Sequence, residues 1–278
     1  MRKQTIQYTL ALFMCMASVS SCANADQPLL FGVVPQQAPS ELAKAWAPLI
    51  KVLEEKTGLT LLFKTAPDIP EFERRLQAGE FDLAYMNPYH YVTFHETAGY
   101  RAVAREKKKK LTGIVVVRKE DPIASVAELN GVDMAFPAPA SFAATVLPLA
   151  SFQQMNVTVT PHYVRSHDSV YRSVVAGIYP AGGGIMRTFN NVPDEIKDKL
   201  RILWTTKSFT PHAIAAHPRV SQAVADKLVT ALAAMSEDAA GKAILEALDF
   251  GSFESADDKD WNDVRALNIG VLSPKGAK

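Results

Sequence analysis

The stretch from Leu29 to Ala66, "LLFGVVPQQAPSELAKAWAPLIKVLEEKTGLTLLFKTA", decides the fold class. "LLFGVV" is a short continuous apolar run of the kind that forms a fully buried strand. The segment "SELAKAWAPLIKVLEEKTG" repeats its apolar residues at helical spacing, with Ser40 as candidate N-cap and Gly58 as the stop. "LTLLFKTA" returns to strand, and "IPEFERRLQAG" and "FDLAYMN" add a second helix and a third strand. Strands alternating with helices in this way predict a parallel sheet covered by helices on both faces.

The rhythm restarts beyond the charged turn "REKKKK". "LTGIVVVRKED" reads as a long strand, "SVAELNG" as a short helix, "VDMAFPAP" as strand and loop, and "SFAATVLPLASFQQMN" as a helix interrupted by Pro148. "VTVTPHYV", "SHDSVYRSVVAG" and "IYPAGGGIM" continue as strand, helix and strand; "LRILWTT" and "HAIAAHP" are strands, and the tail returns to helix. Two α/β units without a long linker predict two lobes meeting at a cleft. Lobe one is expected over residues 26–115 and 209–278 and lobe two over 116–208. The strand Leu111 to Lys119 is expected to pass between them, and Leu203 to Pro218 to bring the chain back.

The start of the chain is an export signal over residues 1–25: Arg2 and Lys3 precede an apolar run, Tyr8 to Ala17, too short to anchor in a bilayer. "VSSC" suits lipidation of Cys22, whereas "ANA" before Asp26 suits ordinary cleavage, and both readings stand. The expectation is a periplasmic protein, soluble or tethered through Cys22. Both cysteines, Cys15 and Cys22, fall inside this leader, so the remainder has neither thiol chemistry nor a disulfide. With a formal net charge of +1 for the whole chain, nothing points to nucleic acid or to a membrane-coating surface.

No GxSxG, HExxH, Walker or GxGxxG pattern occurs, and none of the six histidines stands four residues from another, the spacing that sets two ligands on one helix face. No enzyme activity, cofactor or metal is therefore expected. Ligands of open α/β sheets bind beyond the carboxyl ends of strands, which directs attention to five loops, the first being Pro35 to Ser40. "YMNPYHYV" offers Tyr85, Asn87 and Tyr89 as pocket donors, or as core with satisfied hydroxyls. "FPAPASFAATVLP" places small residues at a helix start at Ser141, for tight packing or for a ligand resting on backbone amides. "SHDSVYRSVVAG" sets His167 and Ser169 in the first turn of a helix, where an anion is favoured, or is a plain cap. "AGGGIMRTF" pairs Gly182 to Gly184 with Arg187, a fork suited to an oxyanion or a surface arginine after a turn.

In this order, "FGVVPQQAPSELAKAWAPLIKVLEEKTG", "GEFDLAYMNP", "FPAPASFAATVLP", "SHDSVYRSVVAG" and "HAIAAHP" resemble the phosphate/phosphite/phosphonate-binding proteins of ABC transporters. The resemblance implies a type II periplasmic binding fold, each lobe a mostly parallel sheet flanked by helices, with the ligand in the interlobe cleft. In that family the segment D-P-x-S-T-S-G-x-x-x-P holds phosphonate oxygens; here Ser141 and Pro148 are kept, while Phe142, Ala143 and Ala144 replace threonine, serine and glycine. Tyr85 and His167 fall on family pocket positions. Arg187 and His212 stand where binders of aminophosphonates carry acids, and a cation there repels an ammonium group.

The implied ligand is a compact oxyanion of the phosphate, phosphite or phosphonate class, or one with a second acidic group; sulfur, arsenic and carboxylate oxyanions stay open. Its expected contacts are Tyr85, Asn87, Tyr89, Ser141, Phe142, Ala143, His167, Ser169, Gly183, Arg187 and His212. The implied role is capture by a monomer through hinge closure and delivery to an inner-membrane permease; the alternative is presentation to a sensor kinase or receptor ectodomain.

Overall fold

The computed structural model describes residues 27–270, so the expected export signal and Cys22 lie outside the described residues. The chain begins with β1 (Leu29–Val33), α1 (Pro39–Thr57), β2 (Leu61–Lys64), α2 (Ile69–Gln77), β3 (Leu83–Met86), α3 (Pro88–Ala98) and β4 (Arg101–Glu106). Helix α1 starts one residue before the expected Ser40, because Pro39 tolerates the first position, where no amide donor is needed. Gly58 ends it at φ 71°. Asp68 and Asn87 cap α2 and α3, their side-chain oxygens accepting from the amides of Glu71 and His90.

The second lobe holds β5 (Leu111–Arg118), β6 (Asp133–Phe136), α4 (Leu147–Gln154), β7 (Thr160–Tyr163), α5 (His167–Val175), β8 (Ala181–Ile185), α6 (Met186–Asn190), α7 (Asp194–Lys197) and β9 (Leu200–Phe209). The return adds β10 (Ala213–Ala216), α8 (Gln222–Ala234), α9 (Ala239–Ala247) and β11 (Phe253–Ser255) to the first lobe. The sheets run β11-β4-β10-β3-β1-β2 and β7-β6-β8-β5-β9.

Both sheets are mixed rather than mostly parallel. The β-α-β units pair in parallel, β3-β1-β2 and β7-β6-β8, as their rhythm requires. The strands flanking the crossings, β4 with β10 and β5 with β9, are antiparallel because one leaves a lobe as the other returns. Strand β5 pairs along its length with β8 and β9, so it lies wholly in lobe two. The crossing is therefore the turn at 107–110, earlier than expected, and the return is at 210–212. Both are pinned to lobe one. Lys109 Nζ lies 3.2 Å from Glu106 Oε1, the Thr210 amide donates to Asp263 at 2.8 Å, and Trp261 Nε1 donates to the Pro211 carbonyl at 3.0 Å.

The apolar core of lobe one, with Phe31, Trp46, Leu49 and Phe72 fully or nearly fully buried, extends across the cleft to Ala138, Phe142 and Leu147. Smaller clusters cover the two faces of the lobe-two sheet. Gly182, Gly183 and Gly184 are not a turn but the middle of β8. A Cβ on Gly183 would overlap the carbonyl oxygen of Ala144, and one on Gly113 in β5 would overlap that of Ala143. The neighbouring backbone thus occupies the space of two missing side chains.

Gly183→Ala is expected to destabilise the protein by about 1–3 kcal/mol, the usual cost of overpacking, because a backbone carbonyl cannot rotate away. Gly251→Ala, with no atom within 4 Å of the new methyl group, serves as the control and is expected to leave the urea midpoint unchanged. Equal midpoints for the two variants would contradict this packing account.

Candidate functional site

The segment after β6 builds one wall of the cleft. Ser141 is extended, and residues Phe142–Val146 form a single wide turn in which the amides of Thr145 and Val146 both donate to the Ser141 carbonyl, at 2.7 and 3.2 Å. A helical start leaves the amides of its first residues without an intrahelical acceptor. Alanine at 143 and 144 keeps those amides uncovered. The hydroxyls of Ser141 and Thr145 are buried and have no hydrogen-bond partner among the described residues. Pro148 falls in the first turn of α4 and so does not break it.

Opposite this turn lie Gln36, Asn87 and His212 of lobe one, and beside it His167 of α5. Together they enclose a cavity of about 10 Å³. The lobes are closed upon it: the His167 amide donates to the Gln36 carbonyl at 3.1 Å, and Asn87 Nδ2 donates to the Ala140 carbonyl at 3.1 Å. Burial holds His167 down at about 3 and His212 well below the usual imidazole range, with the nearby Arg187 charge acting in the same direction. Both rings are therefore neutral at pH 7, each with one N–H to donate.

A second compartment of about 20 Å³ adjoins the first, sharing Val34 and Gln36 in its wall. Trp46, Tyr85 and Phe250 of lobe one face Arg187 of α6 across it. The Arg187 guanidinium sits over the Tyr85 and Phe250 rings, 5.2 and 4.9 Å from their centroids. Its Nη2 lies 3.4 Å from His212 Nδ1, and its Nη1 is 4.0 Å from Glu106 Oε2. Arginine only donates, so His212 Nδ1 accepts and Nε2 carries the proton; Gln36 Nε2 is placed 3.0 Å from that nitrogen, and turning the Gln36 amide over gives the His212 Nε2 proton an oxygen to donate to. Tyr85 stacks on the His212 ring, 5.0 Å apart and tilted by 10°.

The structure thus brings Asn87, Ser141, Phe142, Ala143, His167 and His212 around one cavity and Tyr85 and Arg187 around the other. Three expected contacts line neither. Tyr89 turns its hydroxyl to the Ile269 carbonyl at 3.2 Å, Ser169 is occupied by the Ser166 cap at 2.9 Å, and Gly183 packs on Ala144. Gln36, Thr145, Trp46, Glu106 and Phe250 were not singled out by sequence motifs. Gln36 lies in the loop after β1 that the strand-end rule indicates, whereas Phe250 and Glu106 carry no such signal.

A family model described as "ABC transporter, phosphonate, periplasmic substrate-binding protein" matches residues 31–261. The chain belongs to this family. It is 24% identical over 263 residues to the phosphate-import protein PhnD of Mycolicibacterium smegmatis, covering 79% of each chain. Its fold is that of a binding protein component of an ABC phosphonate transporter from Pseudomonas aeruginosa, with TM-score 0.79, 16% identity, and 87% and 85% of the two chains covered. It is equally similar to PhnD1 from Prochlorococcus marinus in complex with methylphosphonate, with TM-score 0.79, 16% identity, and 87% and 98% covered. Members of this family are substrate-binding components of transporters. No helix among the described residues is long and apolar enough to cross a membrane.

The two buried neutral histidines make stability depend on pH. The unfolded chain takes up protons below about pH 6.5, while folded His167 does so only near 3. Stability is therefore complete above the unfolded value and falls on acidification toward the folded one, by up to about 1.4 kcal/mol per pH unit for each histidine. Urea titrations at stepwise lower pH are expected to show this fall, with a shallower slope for His167→Gln; an equal slope would contradict neutral burial of His167.

Proposed function

We propose that the protein captures a compact phosphorus oxyanion (phosphate, phosphite or a small phosphonate) between its lobes and delivers it to an ABC permease. The observation that carries this reading is the buried, unpartnered hydroxyl of Ser141 at the wall of a small cavity, beside the first residues of the Phe142–Val146 turn and two neutral histidines. Such a wall offers donors and no carboxylate among its lining residues. A fully ionised oxyanion needs that surrounding, since every one of its oxygens accepts.

Closure supplies the binding step. Gln36, Asn87 and His212 come from lobe one and the Ser141 turn and His167 from lobe two, so an anion in the cavity ties the lobes together. Lobe one spans residues up to the crossing at 107–110 and from the return at 210–212 onward, and lobe two lies between. The ligand so gripped is presented to the permease in the closed form.

Isothermal titration of the domain lacking the leader is expected to give tight binding of phosphate, phosphite or methylphosphonate and much weaker binding of sulfate. Ser141→Ala is expected to weaken the preferred anion about tenfold or more, the scale of a lost hydrogen bond to a charged group. Absence of binding for all three phosphorus anions would overturn the assignment.

A further inference from the structure

Resting on the oxyanion reading of the first cavity, we propose that the second compartment receives an acidic group at the other end of the ligand. The substrate class is then a phosphonate bearing a carboxylate on a short arm. The compartment has no carboxylate in its lining and holds two donors that lack a partner. Arg187 Nη1 and Tyr85 Oη are both buried and have no hydrogen-bond partner among the described residues. The Tyr85 residue is 2% exposed and the Arg187 side chain 11%.

Nearby acceptors do not meet the need. His212 Nδ1 engages the other guanidinium nitrogen, and Glu106 stands 4.0 Å away, beyond hydrogen-bond reach and outside the compartment's lining. Glu106 pairs in charge with Lys109 at 3.2 Å, although its Oε1 makes no hydrogen bond among the described residues. Tyr85 keeps its proton, because burial raises its phenol further above neutrality.

The chemistry of the walls narrows the group. An ammonium would meet the Arg187 charge and the edges of two donors, so it is repelled. A bare alkyl end would leave both donors unsatisfied in a closed site. A carboxylate offers two oxygens, one for each donor, and the rings of Trp46, Tyr85 and Phe250 cover its arm. The volume of about 20 Å³ limits that arm to a short one.

Val34 and Gln36 line this compartment and the oxyanion cavity alike, so the two are neighbours in the cleft. Arg187 and Thr188 belong to lobe two and Trp46, Tyr85 and Phe250 to lobe one, so the acidic end adds a second tie across the cleft.

The test is calorimetric titration of the protein with methylphosphonate, phosphate and phosphonoacetate. Phosphonoacetate is expected to bind at least about tenfold tighter than methylphosphonate. That ratio is expected to fall toward one in Arg187→Met and in Tyr85→Phe, the latter keeping the ring that stacks on His212. If methylphosphonate or phosphate binds and phosphonoacetate binds no better, the acidic-tail proposal is wrong while the oxyanion cavity stands. If the preference persists in both variants, the acid sits elsewhere and the proposal is equally overturned. If none of the three binds, the oxyanion reading fails and this inference with it.

Discussion

Two carbonyl oxygens, those of Ala143 and Ala144, lie where side chains of Gly113 and Gly183 would begin. The cleft depends on this contact. It seats the Ser141–Val146 turn directly on the backbone of β5 and β8, closer than any residue with a Cβ would allow. The same turn lines the first cavity through Ser141, Phe142, Ala143 and Ala144. The glycine run in β8 and the small residues of the turn are thus one feature, a pair of backbones packed against each other. The wide turn itself follows, since Thr145 and Val146 both draw on the Ser141 carbonyl.

In the proposed function the site holds its anion with dipoles more than with net charge. Its histidines are neutral, and its arginine is shielded by two aromatic faces and stands near Glu106. Donors fixed by packing need little reorganisation when the ligand arrives, and in a closed, water-poor cleft each is worth more than in solution. His212 connects the two compartments: it stacks on Tyr85, leans on Gln36 and accepts from Arg187. Its environment thereby couples the charge in one compartment to the donors in the other.

Hinge and site are also physically joined. Glu106 ends β4 immediately before the crossing, and Lys109 within the crossing is tied to it and to Asp249. Arg187 approaches Glu106 only from lobe two.

The alternation of apolar runs with amphipathic segments was enough to determine two α/β lobes, and Gly58 and the cap at the start of "SHDSVYRSVVAG" marked two helix ends, while the caps at Asp68 and Asn87 came from the structure. Those are local properties, decided within a few residues. Strand β4 escaped the pattern because Arg101 and Arg105 interrupt its apolar run, and the crossing was placed too late because β5 is apolar from its first residue. Ser141, His167 and Arg187 were legible as helix-start and fork chemistry. Tyr89, Ser169 and Gly183 carried the same local signals, yet packing turned them to the Ile269 carbonyl, a cap and a carbonyl contact. Gln36 meets His212 across 176 positions, and Arg187 meets Phe250 across the cleft. Only tertiary structure decides such pairs, because they are fixed by how two closed lobes fill space rather than by the spacing of neighbours along the chain.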